Sequence, residues 1–156
     1  MNGSTDRPSS SRWNEYMKQN GLYLAFMVAL ISTLGSLYYS ELREFIPCEY
    51  CWYQRILMYP LVLWFAIAAV RKDLGVIMYT LPLSMLGMGF SMYHYLTQKV
   101  AFFHERAGAC AGLIKCNEAY VNYFGFVTIP FLAFIGFTLI TLVLLLTYRA
   151  AKTGQV

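Results

Sequence analysis

The segment Phe124–Tyr148, FGFVTIPFLAFIGFTLITLVLLLTY, runs for 25 residues without a charged side chain. A helix needs roughly 20 predominantly apolar residues to cross a bilayer, where the backbone must satisfy its own hydrogen bonds. A run this long predicts a membrane-spanning helix rather than the core helix of a soluble fold. Three further apolar segments have the same character: Gly21–Tyr39, Trp52–Val70 and Leu74–Leu96. The first and third carry no charge, and the second holds Arg55 in its first turn, where a long side chain can snorkel to the interface.

Composition agrees. The chain has 156 residues, of which 58% are hydrophobic, 17% aromatic and 13% charged, against about 25% charged in an ordinary soluble domain. A formal charge of +4 is too small to indicate nucleic-acid binding. The expected fold is an all-α integral membrane protein, a four-transmembrane-helix bundle over residues 21–148. Outer loops span 40–51 and 97–123, and polar tails span 1–20 and 149–156. Residues 1 to about 12, rich in serine, read as a flexible tail. The first apolar run is followed by LYYSELREF, which offers no small-x-small cleavage site, so it is expected to stay as a span.

Basic residues in short flanks set the orientation. Arg7, Arg12, Lys18, Arg71, Lys72, Arg149 and Lys152 share one side, which predicts cytoplasmic termini and a multi-pass protein of the plasma membrane. The opposite side holds Arg43, Lys99, Arg106 and Lys115, offset by Glu41, Glu44, Glu49, Glu105 and Glu118. All four cysteines then fall on the outer, oxidising side: Cys48 and Cys51 at the end of the first loop, Cys110 and Cys116 in the second. Thiols gathered there point to disulfide chemistry. Four cysteines allow three intrachain connectivities, and Cys48–Cys51 with Cys110–Cys116 is the simplest resting arrangement.

The first pair lies in FIPCEYCWYQRILMYP, Phe45–Pro60. Pro47 cannot continue a helix backwards, so a helix is expected to begin at Cys48 or Glu49. Cys48, Cys51 and Arg55 then stand at i, i+3 and i+7, within one face. A helix N-terminus and a nearby cation both favour a thiolate, lowering its pKa from about 8.5. The second pair, in HERAGACAGLIKCNEAY, is flanked by Gly108 and Gly112 in a polar loop that another protein can reach. A tetrahedral zinc site is disfavoured by the oxidising compartment and by Arg55 on the cysteine face, so no metal is expected.

CEYCWYQR followed by ILMYPL, at the start of the second of four spans, closely resembles the DsbB/BdbC family of membrane thiol oxidases, in the CWYQR form of the BdbC branch. The resemblance covers nearly the whole chain outside the serine-rich tail. It implies a thiol:quinone oxidoreductase supporting disulfide formation in exported proteins. Such an enzyme reoxidises a thioredoxin-like DsbA/BdbD-type thiol oxidase outside the membrane and passes the electrons to a membrane quinone, menaquinone or ubiquinone, and so to the respiratory chain. Carried over by position, the resemblance makes Cys110 the site of the mixed disulfide with the partner and Cys116 its pair. Cys48 becomes the cysteine exchanging with that loop and Cys51 the thiolate facing the quinone. Arg55 would polarise the quinone, near Trp52 and Tyr53, and His94 would help bind it. The better-known branch spaces its second pair widely, whereas five residues separate Cys110 from Cys116.

Pro82 and Pro130 are expected to bend helices rather than touch substrate. Two other readings remain in view. A vitamin K epoxide reductase-like enzyme would carry its C-x-x-C on the last span, and a non-enzymatic membrane protein would use its disulfides only as braces.

Overall fold

The computed structural model describes residues 9–44, 46–100, 102 and 127–153. Four long helices make up the fold: α1, Ser9–Leu37; α2, Glu49–Arg71; α3, Ile77–Lys99; and α4, Ile129–Thr153. A π-helical turn, Tyr38–Leu42, extends α1, and a 3₁₀ turn, Leu74–Val76, leads into α3. All four are long and apolar enough to cross a membrane, and the chain is an all-α four-helix membrane protein.

Two boundaries differ from expectation. The polar stretch from Ser9 onward is helical and forms the first turns of α1, because its Glu, Lys, Gln and Met residues are good helix formers once a longer helix nucleates them. The fourth helix begins at Ile129 rather than Phe124. Pro130 therefore lies in its first turn, where a missing N–H costs nothing, and starts the helix rather than bending it. Pro60 and Pro82 do lie inside α2 and α3.

The helices pack in a ring, each against its sequence neighbours and α4 against α1, with little contact across the diagonal between α2 and α4. Chain direction alternates, so the start of α2, the end of α3 and the start of α4 meet at one end. The tight α2–α3 turn closes the other: Lys72 adopts a left-handed conformation, and Asp73 Oδ1 accepts from Gly75 N at 2.8 Å.

Leu22, Leu61, Phe65, Ile140 and Leu144 form a buried apolar cluster, but the outside of the bundle is apolar too. The outer surface carries Ile31, Val70, Met78 and Tyr79, each more than 60% exposed, as lipid-facing positions require. The buried face of α3 is instead Ile77, Thr80, Ser84, Gly87, Ser91, His94 and Thr97. Small residues let membrane helices approach closely where lipid supplies no hydrophobic drive between them. The ring of Phe137 fills the space a Gly87 side chain would occupy, and Ser84 Oγ pairs with Thr141 Oγ1 across the same interface at 2.6 Å. Thr80, Thr97 and Thr141 each donate to a backbone carbonyl one turn earlier, so these buried hydroxyls are satisfied.

Replacing Gly87 by Val should force Phe137 off its seat and separate α3 from α4. Overpacking of this kind costs about 1–3 kcal/mol, which should appear as a lower midpoint in a denaturant or thermal unfolding curve of the purified protein. Gly89, with open space around it, serves as the control, where Val should have a much smaller effect.

Candidate active site

The site is built where α2 begins. Cys48 is the N-cap, with extended dihedrals φ −71° and ψ 171°, and its carbonyl accepts from Trp52 N at 3.1 Å. Cys51 lies one turn inside the helix. The two Sγ atoms are 3.1 Å apart as free thiols, so the pair can close to a disulfide with little movement.

The sequence places both sulfurs and Arg55 on one face, but the structure divides them. Because Cys48 is extended, its side chain leaves the helical row and turns toward α3. There His94, fully buried, brings Nε2 to 3.6 Å from Cys48 Sγ. The other ring nitrogen, Nδ1, lies 3.2 Å from Nε2 of Gln54, itself buried on α2. Tyr50 packs edge-on against His94, with ring centroids 5.4 Å apart, and Tyr93 backs Tyr50 in turn.

Cys51 and Arg55 instead line a cavity of about 430 Å³ between α1, α2 and α4, within the size range of small-molecule sites. Its walls are mostly apolar, with Val28, Ile31, Met58 and Leu132 among them, and Gly35 and Gly136 leave it room. Arg55 reaches across to α1: Nε donates to Ser36 Oγ at 3.0 Å and Nη2 to the Ser36 carbonyl at 3.3 Å. The Trp52 ring lies 5.8 Å from its guanidinium carbon. Tyr59, one turn beyond Arg55, also lines the cavity, and its buried hydroxyl has no hydrogen-bond partner among the described residues. The π-helical turn contributes Tyr39 and Ser40 to the same wall, in keeping with the frequency of such turns at functional sites.

Three placements depart from the reading of the sequence. His94, expected at the cofactor, contacts Cys48 and Gln54 and is not among the cavity-lining residues. Tyr53, expected beside Trp52 at the cofactor, stacks on Phe90 instead and is half exposed. The Cys48 thiol is not acidified but pushed up to about 12. Its hydrogen bond to Cys51 is the largest cause and burial the next, while His94 pulls the other way.

Cys48, Cys51 and His94 also bring three metal-ligating atoms within 4.8 Å of one another. Arg55 does not oppose a cation there as the sequence suggested, since it is turned toward Ser36. A soft ion could use these donors only in the dithiol form, because a disulfide offers no thiolate. Cys110 and Cys116 lie outside the described residues.

The comparisons with known proteins define the class. The family profile described as "Disulfide bond formation protein DsbB" matches residues 18–147, and the chain belongs to that family. It is 55% identical over 119 residues to the disulfide bond formation protein C of Bacillus subtilis (strain 168), covering 76% of this chain and 86% of the relative. It is 53% identical over 123 residues to the probable disulfide formation protein C 1 of Bacillus anthracis, covering 79% and 88%. A probable disulfide formation protein of Coxiella burnetii (strain Dugway 5J108-111) is 41% identical over 132 residues, covering 85% and 90%. No solved structure gives a significant match. The chain is accordingly a multi-pass membrane oxidoreductase of disulfide formation.

The raised Cys48 value has a direct consequence. A thiol of ordinary pKa 9.0 is half ionised at pH 9, whereas Cys48, near 12, is ionised to about one part in a thousand there. In the reduced protein, iodoacetamide should therefore label Cys48 far more slowly than an ordinary thiol at pH 9, with the rate still climbing at pH 10–11. Peptide mass mapping of labelled Cys48 checks this.

Proposed function

We propose that the protein is a thiol:quinone oxidoreductase that reoxidises a thioredoxin-like thiol oxidase of the DsbA/BdbD type outside the membrane. The observation that carries this reading is the shared cavity: Cys51, Arg55 and the unpartnered Tyr59 hydroxyl line one apolar space beside the dithiol. A quinone supplies a two-electron, two-proton acceptor there. The residues fit such a group on three counts. The walls are apolar enough for a lipid-soluble ring, Arg55 provides fixed positive charge where a ring oxygen gains negative charge, and Tyr59 offers a free donor. Arg55 and Tyr59 are one helical turn apart, about 6 Å of rise, so they address two positions along one wall, as the two carbonyl oxygens of a para-quinone need.

Cys51 is the electron-delivering thiolate, and Cys48 is the sulfur that exchanges with the second pair. Cys110 forms the mixed disulfide with the partner protein and Cys116 resolves it. Ser36 holds Arg55 by two hydrogen bonds, so the cation is in place before the ligand arrives. The seven basic residues Arg7, Arg12, Lys18, Arg71, Lys72, Arg149 and Lys152 support a cytoplasmic assignment for the end remote from Cys48, which leaves the cysteines extracytoplasmic.

Cys51→Ser should abolish quinone-dependent oxidation of an external dithiol protein while membrane insertion stays intact. Unchanged oxidation would overturn the mechanism. Arg55→Ala should weaken quinone use several-fold while thiol exchange between the pairs persists, and equal damage to both would mark Arg55 as structural.

Tyr59→Phe separates ligand binding from stability by sign. Removing a buried, unpaired hydroxyl should leave the quinone-free protein as stable or slightly more so. Quinone affinity should fall about five- to tenfold, the worth of one hydrogen bond. Titration of quinone into lipid nanodiscs, alongside unfolding of the quinone-free protein, measures both.

A further inference from the structure

Gln54 lines the cavity together with Cys51 and Arg55, and it is a primary amide held at 5% exposure within a membrane-spanning helix. Buried polar groups at that depth are costly unless paired, and the partner here is His94. A continuous line of contacts runs from the Gln54 amide to His94 Nδ1 at 3.2 Å, and from His94 Nε2 to Cys48 Sγ at 3.6 Å. Amide, imidazole and thiol stand in the same order as in Cys-His-Asn proteases, on an unrelated fold. We propose that His94 is the proton donor and acceptor of Cys48, and that Gln54 is the positioning residue that holds the imidazole in either tautomer. The inference rests on the exchange role given to Cys48 above.

The amide suits this task because it carries both a donor and an acceptor. With its N–H directed at a bare Nδ1, the neutral ring turns Nε2–H toward the sulfur and rests as a hydrogen-bond donor to it. After a half-turn of the amide its oxygen accepts from Nδ1–H, so a bare Nε2 can take the Cys48 proton, and the imidazolium so formed, its Nδ1–H still on the amide oxygen, can give that proton back. The ring and the sulfur need not move; only the amide turns. Cys48 has need of such a group, since a thiol that holds its proton strongly is a poor leaving group as a thiolate. The ionisable groups acting on Cys48 are Cys51 and His94. Tyr50 meets only the edge of the imidazole ring, and the first turn of α4, Ile129 to Ala133, carries no ionisable side chain.

The step balances without any cofactor. A dithiol reductant attacks the Cys48–Cys51 disulfide, one S–S bond forms as the other breaks, and the reductant's second thiol closes its own disulfide. The reductant loses two electrons and two protons. The pair gains the electrons, and departing Cys48 receives a proton from His94 Nε2. His94 gives that proton as the imidazolium formed when it takes up one of the two released protons, and the other goes to Cys51 or to solvent. Closure of the disulfide runs the same transfer backwards.

The test uses the full chain with Cys110→Ser and Cys116→Ser, so that one disulfide remains, and follows its reduction by dithiothreitol with quenched alkylation and mass mapping. His94→Ala should slow reduction at least tenfold, and added imidazole should restore the rate in proportion to its concentration. Gln54→Leu should slow it several-fold, whereas Gln54→Glu, which keeps an acceptor for Nδ1–H, should stay within about twofold of the parent. An unchanged rate in His94→Ala, a slow rate that imidazole does not restore, or a parental rate in Gln54→Leu would each overturn the proposal. The assay contains no quinone, so its failure leaves the cavity assignment standing, and loss of quinone binding would leave this result intact.

Discussion

The contact between Cys48 Sγ and Cys51 Sγ, 3.1 Å across the first turn of α2, is what the rest of the site depends on. Pro47 stops the helix from extending backwards, and Cys48 takes the N-cap with extended dihedrals while Cys51 is fully helical. The two sulfurs are close enough to bond, yet they belong to different surroundings. Cys48 looks across to α3 and a buried imidazole; Cys51 looks into the apolar cavity between α1, α2 and α4. Had both cysteines been inside the helix, they would share one face and one environment.

That division requires the helices to be held at the right separation, and the bundle does so without a conventional apolar core throughout. The stripe of small and hydroxylated residues on α3 lets Phe137 of α4 press against Gly87. The same stripe continues one face of the helix to His94. A bulky stripe would move His94 away from Cys48, so the close packing that stabilises the membrane fold also fixes the distance between these two side chains. On the other side, Ser36 near the end of α1 anchors Arg55. Gly35 faces open space there, and Gly136 lets α4 approach Ser32 of α1 closely.

The architecture was legible in the sequence because its signals are long and strongly patterned: four apolar runs, three of them uncharged, a Pro before the second, and a C-x-x-C followed by Arg. The start of α2 was equally legible, since Pro47 permits few alternatives. The side-chain directions at that start were not. Helical spacing puts Cys48, Cys51 and Arg55 together, but the N-cap residue does not obey helical spacing, and the acidifying effect expected for Cys48 gave way to its bond with Cys51 and to burial. Gln54, Ser36 and Tyr59 were missed for a related reason. Each is polar within a span, which is itself a signal, but its role is set by a partner on another helix or by the lack of one. The one available clue was Gln54, uncharged yet costly to bury, within the very motif that carries the cysteines.

Separating the two sulfurs also separates what leaves them. A dithiol closing to a disulfide sheds two electrons and two protons, and in an apolar interior electrons and protons need different routes, because a proton must be passed between hydrogen-bonding groups. In the proposed function the electron pair leaves from Cys51 into a mostly apolar cavity whose polar lining includes Arg55, Tyr59, three serines and the edge of Gln54. The last proton sits on Cys48, whose side is the imidazole and amide of His94 and Gln54. Burial of Cys48 favours its neutral form. The proposed roles, one cysteine a donor of electrons and its neighbour a keeper of protons, thus rest on different surroundings that the first turn of α2 gives the two sulfurs.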